Sequence, residues 1–241
     1  MEPMITVKNL IKIYKVGSEK VVALNDLTFD VAEGEICCIL GTSGSGKSTL
    51  LNMLAGLEKP TRGEIVIAGQ RIEKMSEKKV TNFRQKNVGF IFQSYNLLYG
   101  ITALENVAMP LMFRGVKKKK REKIAFLMLA MVGLAKRVKH KPTQMSGGQQ
   151  QRVGIARAFA ARPKIVFADE PTGNLDTKTT LEVMELMVAL CRKNNQTLIL
   201  VTHDRDIASY ADRIIRISDG EIVSNEYKKI SKINQFEGVK R

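Results

Sequence analysis

Gly41-Thr42-Ser43-Gly44-Ser45-Gly46-Lys47-Ser48 has the complete form G-x-x-x-x-G-K-[ST]. Its glycines let the backbone come close to a ligand, so that successive N–H groups can converge on an anion. The apolar stretch Glu35–Leu40 before it reads as a buried strand, and Lys47 to Gly56 after it as a helix opening on Ser48 and Thr49. The positive end of that helix adds to the cradle. Lys47 is placed to reach the β- and γ-phosphates, and the Ser48 hydroxyl to ligate Mg²⁺. Strand, glycine turn and helix N-terminus in this order predict a nucleoside triphosphate site formed by Gly41 through Thr49.

Three more strand ends carry groups that could complete such a site. The apolar run Ile165–Ala168 ends in Asp169 and Glu170. Asp169 could hold Mg²⁺ through water, and Glu170 could orient and polarise an attacking water. Gln93, after Val88–Phe92, could reach the metal or that water, and His203, after Thr197–Thr202, could contact the γ-phosphate. Met145-Ser146-Gly147-Gly148-Gln149 opens a second glycine-rich helix and so forms a second potential anion cradle. One nucleotide does not need two cradles in one chain. Tyr14 lies about one strand ahead of the loop and could stack on a base; an ordinary exposed tyrosine would have the same spacing.

These groups must be held by a framework, and its pattern is that of an α/β protein. Ile5–Leu10 and Leu27–Val31 alternate and read as antiparallel strands, followed by a turn at Glu33-Gly34. Gly63–Ile67 is a further strand, and Ser76–Lys86 a polar helix. From Thr102 to about Ala161 the period is helical: Leu104, Val107, Ala108, Leu111 and Met112 form one stripe, and Ile124, Leu127, Met128 and Met131 another. Between them Lys117–Arg121 reads as the solvated start of a surface helix, with contact to anionic lipid or nucleic acid as the alternative. A helix follows over Thr179–Asn194. Arg213–Ile217 and Glu221–Ser224 read as a closing hairpin turned by Asp219-Gly220. The residues from Glu226 to Arg241 are basic and poorly patterned.

The 241 residues suffice for one large domain with a proper core. No apolar run approaches the ~20 residues of a membrane span, and the opening Met1–Thr6 lacks the layout of a signal peptide, so a cytosolic protein is expected. Cys37 and Cys38 are neighbours on a strand and point to opposite faces, and Cys191 is distant. They read as reduced, space-filling residues, with no metal cluster. The net charge of +15 suits nucleic acid, an anionic membrane face, or simply a basic solvated surface.

In this order and at this spacing the motifs resemble those of the ATP-binding cassette family, over the chain to about Ser224. Tyr14 looks like that family's adenine-stacking aromatic, and Gly41–Ser48 like its Walker A loop. Gln93 resembles its Q-loop, Ser146-Gly147-Gly148-Gln149 its signature, and Asn174-Leu175-Asp176 its D-loop. Asp169 and Glu170 resemble Walker B and the catalytic base, and His203 the switch histidine. Thr42 stands where many members have proline, and Met145 where the signature has leucine. The resemblance implies a P-loop NTPase (RecA-like) core with a mostly parallel central sheet. It further implies an N-terminal antiparallel β subdomain and an inserted α-helical subdomain at about 95–160. Together these make one nucleotide-binding domain over 1–225, with a basic tail over 226–241.

The resemblance also gives the second cradle a use. Two cassettes pair head to tail, and the Ser146–Gly148 turn of one closes over the ATP held by Lys47 of the other, with Gln149 and Asp176 also among the implied nucleotide-binding residues. ATP and Mg²⁺ are the implied ligands, with Ser48, Gln93 and Asp169 around the metal. Gly89–Leu98, Thr102–Val107 and Glu170–Asp176 look like the macrolide-exporter and lipoprotein-release group. That likeness implies a homodimer on the inner face of the cell membrane, working with a separate permease subunit docked around Asn96–Phe113. Export, lipoprotein release and control of wall hydrolysis all remain open. The rival is a soluble cassette acting on nucleic acid or ribosomes. Against it, Ser146 follows Lys47 by only 99 residues, with no room for a long coiled coil, and the chain holds one cassette.

Overall fold

The computed structural model describes residues 3–228. The chain opens with a long antiparallel hairpin, β1 (Ile5–Val16) and β2 (Glu19–Val31). Both strands run well beyond the segments whose alternation announces them. The register slips between Val7 and Leu10 and again before Ile13, and Asn9 and Asp26 adopt positive φ. These bulges break the two-residue period that marks a strand in sequence. β4 (Arg62–Ile67) pairs with β1, and the two-residue β5 (Gln70–Arg71) closes a four-stranded antiparallel sheet, ordered β2-β1-β4-β5.

The second sheet is the scaffold of the site. Its order is β10-β9-β3-β8-β7-β6, with β3 (Ile36–Leu40), β6 (Val88–Ile91), β7 (Ile165–Asp169), β8 (Thr197–Thr202), β9 (Arg213–Ser218) and β10 (Glu221–Tyr227). All neighbours are parallel except the β9–β10 hairpin. Strands β3 and β8 are buried along their whole length, which is why their sequences are unbroken rather than alternating. Because β3, β6, β7 and β8 run the same way, their C-terminal ends collect at one edge, where open α/β sheets bind ligands. The expected mostly parallel core beside an N-terminal antiparallel sheet is what the chain forms.

Two cores flank this sheet. One fills the space between the two sheets around α1 (Lys47–Leu54); it contains Cys37 and Ile39. The other lies under α3 (Ala103–Phe113), α4 (Lys118–Met131), α5 (Gly147–Ala160) and α6 (Thr177–Lys193); it contains Ile36, Cys38 and Leu40. The adjacent cysteines thus serve opposite cores, and burial pushes the thiols of Cys38 and Cys191 up to about 12. The polar helix α2 (Glu77–Asn87) and the short α7 (Arg205–Ala208) complete the set.

The helical stripes need correction. In α4 the buried residues are Ala125 and Leu129, whereas Leu127 and Met131 are 51% and 44% exposed, as is Met112 of α3 at 46%. A four-residue stripe spans a wide arc, and α4 packs only its inner seam against α3 and α5. At the other end of the chain, β10 runs through Tyr227, past the point where the tail was expected to begin. Tyr227 is held there by Arg213, which donates to its hydroxyl at 3.0 Å and lies 4.8 Å from its ring centre. The rest of the expected tail, 229–241, lies outside the described residues. Among those described, no helix is long and apolar enough to cross a membrane.

Candidate active site

The phosphate loop leaves β3 at Gly41 and enters α1 at Lys47. Gly41 passes so close to β9 that an added Cβ would lie 2.3 Å from the Ile217 carbonyl oxygen. Gly46 caps α1 at φ 99°, and a Cβ there would meet the Ala23 carbonyl oxygen at 2.5 Å. Only glycine fits either position. Gly46→Ala is therefore expected to weaken ATP binding at least about tenfold, through backbone strain of about 1–3 kcal/mol and displacement of the loop. Titration with a fluorescent ATP analogue checks this.

A cleft of about 490 Å³ lies against the loop, lined by Ser43, Gly44, Gly46, Lys47, Ser48, Thr49, Gln93, Glu170 and His203, with Val21–Ala23 of β2 on the far wall. Gly41, Thr42 and Ser43 border an adjoining hollow that His203 also reaches. Ser45 points inward: its hydroxyl is buried with no hydrogen-bond partner among the described residues. Lys47, only 7% exposed, donates from Nζ to the Thr42 carbonyl at 2.7 Å, so its ammonium is held across the loop it serves.

Asp169 and Glu170 have different environments. Burial, with the neighbouring Glu170 carboxylate, raises the Asp169 carboxyl above the usual aspartate range; the Lys47 ammonium and Ser48 hydroxyl act in the opposite sense. Its Oδ1 is buried and has no hydrogen-bond partner among the described residues. A hard oxygen donor left unpaired beside a serine hydroxyl, with an amide carbonyl at the same cleft in Gln93, fits a Mg²⁺ ion. Glu170 sits at φ 43°, its N–H donating to the Val201 carbonyl at 3.0 Å and its carbonyl accepting from Gly173 at 3.1 Å. Its Oε1 lies 2.8 Å from His203 Nδ1, and its Oε2 accepts from the Thr202 hydroxyl at 3.2 Å. Where the Glu170 carboxylate accepts from His203, the imidazole hydrogen in that contact is on Nδ1.

Gln93 approaches the loop after Glu170 closely. A Cβ on Gly173 would lie 2.8 Å from Gln93 Nε2, and Asn174 Nδ2 donates to the Gln93 carbonyl at 3.0 Å. Tyr14 does not itself line the cleft, but its side chain interacts with Thr49, which does. The Tyr14 hydroxyl donates to Glu58 at 2.7 Å, and Lys12 Nζ lies 4.9 Å from its ring centre. Val21 and Val22, which pair with Tyr14 and Ile13 on β1, line the cleft instead.

The second cradle is a well-formed helix start. Ser146 caps α5, its Oγ accepting from Gln149 N at 3.4 Å while the Gln149 side chain accepts from Ser146 N at 3.2 Å. An added Cβ on Gly148 would meet Thr179 Cγ2 at 2.6 Å, and Asp176 caps α6 beside it. None of Ser146, Gly147, Gly148, Gln149 and Asp176 lines the cleft at Lys47. One chain does not bring its two cradles together. Sequence reasoning missed the polar side chains that tie these parts: buried Gln151, which donates to the Pro171 carbonyl, buried Asn106, which fastens Leu98 by both its backbone groups, and Arg157. Each interrupts an otherwise apolar helical stripe, and that interruption was the available signal.

Comparison with known proteins agrees with this geometry. The ABC transporter family model matches residues 24–173. The chain is 44% identical over 225 residues to the lipoprotein-releasing system ATP-binding protein LolD of Geobacter metallireducens, covering 93% of this chain and 100% of that one. It is 42% identical over 231 residues to the macrolide export ATP-binding/permease protein MacB of Chlorobaculum tepidum, covering 96% of this chain and 35% of that longer one. Its fold superposes with TM-score 0.87 and 42% identity on the ATP-binding cassette MJ0796 of Methanocaldococcus jannaschii, solved as a dimer in a post-hydrolysis state bound to ADP and Pi; the match covers 93% of this chain and 98% of that one. The chain belongs to the ABC transporter family, as an ATP-binding cassette of the MacB/LolD-type group.

Proposed function

We propose that this cassette hydrolyses ATP as one half of a head-to-tail homodimer and passes the resulting motion to a separate permease subunit at the cytoplasmic face of the membrane. One observation carries the reading: Lys47, Ser48, Gln93, Glu170 and His203 converge on one cleft, while the second phosphate cradle of the same chain opens elsewhere. Each cradle then needs a second copy. The dimeric state of MJ0796 supports this, as does the permease included in the name of MacB.

ATP enters with its phosphates on the loop N–H groups and Lys47, and its base toward the β1–β2 wall near Tyr14. Ser48, Asp169 and Gln93 would hold Mg²⁺, which would supply positive charge beside the phosphates. Glu170 orients a water toward the γ-phosphate and accepts its proton. His203, bonded to Glu170 through Nδ1, fixes that carboxylate at the cleft that both residues line. Positioning and charge supply the acceleration, with no covalent intermediate. The partner's Ser146 turn would complete the ring of donors around the γ-phosphate. The work done outside the membrane follows the group: expulsion of peptides or antibiotics, lipoprotein release, or force on a wall-modifying partner.

Ser146→Arg tests the composite site. It should leave ATP binding to the single chain unchanged, yet abolish ATP-dependent dimers in size-exclusion chromatography and cut turnover at least about a hundredfold. Normal hydrolysis by that variant would refute the head-to-tail model.

A further inference from the structure

Arg157 lies on the last turn of α5, ten residues after Gly147. Its guanidinium donates to the carbonyls of Tyr95 and Asn96, at 2.8 and 2.5 Å. No carboxylate among the described residues lies within ion-pair distance of it, so these two carbonyls are its partners. A part-buried cation without a counter-ion holds such acceptors firmly, because releasing them would leave its donors unsatisfied. Burial accordingly lowers its pKa from the ordinary arginine value.

What it holds is strained. Tyr95 and Asn96 take φ of 61° and 46°, two successive non-glycine residues in the left-handed region. The same segment touches α5 again at its start, where an added Cβ on Gly147 would meet the Tyr95 hydroxyl at 2.8 Å. The Tyr95 carbonyl also runs past Gly154, 3.8 Å from where a Cβ would stand. Tyr95 therefore lies along most of α5, pinned at one end by its ring and at the other by Arg157. Two residues before it is Gln93, on the cleft; three residues after it begins the exposed pair Leu98 and Tyr99, at 53% and 54%.

We propose that Arg157 is a positioning residue that locks the strained segment after Gln93 onto α5, so that a shift of Gln93 on nucleotide binding moves the Ser146–Gly148 turn and the Leu98–Tyr99 surface together. Arginine is required because its planar fork spans two successive carbonyls, which the single ammonium of lysine does not. Without the lock, Gln93 can still meet nucleotide, but its displacement dissipates in the segment between. This role presupposes that the cleft binds ATP.

The test uses the full chain with Leu98→Cys labelled by an environment-sensitive thiol dye. The native Cys37, Cys38 and Cys191 are buried, with thiols held well above the reactive range, so the label goes to the introduced site. ATP should shift the dye emission in the labelled parent. Adding Arg157→Lys should abolish that shift and lower kcat roughly tenfold, the scale of coupling carried through packed contacts, with ATP affinity held within about twofold. A retained shift in Arg157→Lys would overturn the role, as would loss of ATP binding together with the shift, which would make Arg157 a merely structural residue. A parent that binds ATP without any shift also overturns it. A parent that binds no ATP overturns the nucleotide reading itself, and this role with it.

Discussion

Glu170→Gln is expected to bind ATP as tightly as the unsubstituted protein while hydrolysing it at least about a thousandfold more slowly, within the range set by losing a positioned general base. The amide keeps the size of the side chain, and its oxygen can still accept from Thr202 or His203, which the carboxylate meets at 3.2 and 2.8 Å. What it cannot do is take a proton from water. Binding and closure should therefore persist with the chemistry removed, and the variant should accumulate as an ATP-bound dimer. Single-turnover hydrolysis and size-exclusion chromatography read the two halves separately. Turnover close to that of the parent would remove Glu170 from the role of base.

Lys47→Ala is expected to abolish measurable ATP binding, a loss of roughly a hundredfold or more, as for truncating one side of a buried charge contact. Lys47 is the one lysine or arginine among the described residues that line the cleft, and at 7% exposure it has little water to share its charge with. Its removal strips the loop of its charge while leaving the N–H groups and helix dipole in place. It also relieves Asp169 of a neighbouring positive charge that opposes the rise in its pKa. That carboxyl should be protonated over a wider range of pH, and the metal set weakened along with the phosphate site. Isothermal titration with ATP decides the matter; an unchanged affinity would take Lys47 out of the phosphate site.

Much of this site could be read from the chain because each part is local. A phosphate loop needs only a strand, three glycines, a lysine and a helix start in sequence, and the carboxylates stand directly after an apolar run. Asp169, Glu170, Gln93 and His203 were found as strand ends, and parallel strands bring such ends together. Tyr14 was harder to place, since the side of a bulged hairpin that a residue occupies depends on register, and the register slips between Val7 and Ile13. The outward turn of Leu127 and Met131 was hidden for another reason: periodicity tells that a face exists, not how much of it a neighbour covers. Arg157, Gln151 and Asn106 bond to backbone carbonyls far away in sequence, or to a loop whose shape is not local, so residue type alone does not reveal them.

The five residues of β3 belong alternately to two cores: Ile36, Cys38 and Leu40 to one, Cys37 and Ile39 to the other. A molecule with two separate hydrophobic interiors could melt in two steps. Here neither interior can open without pulling apart the strand that completes the other, so the two are thermodynamically one cooperative unit. Gly41 follows directly on that strand. The phosphate loop is thus anchored on a strand that both cores share, and it should keep its start fixed until that strand itself opens.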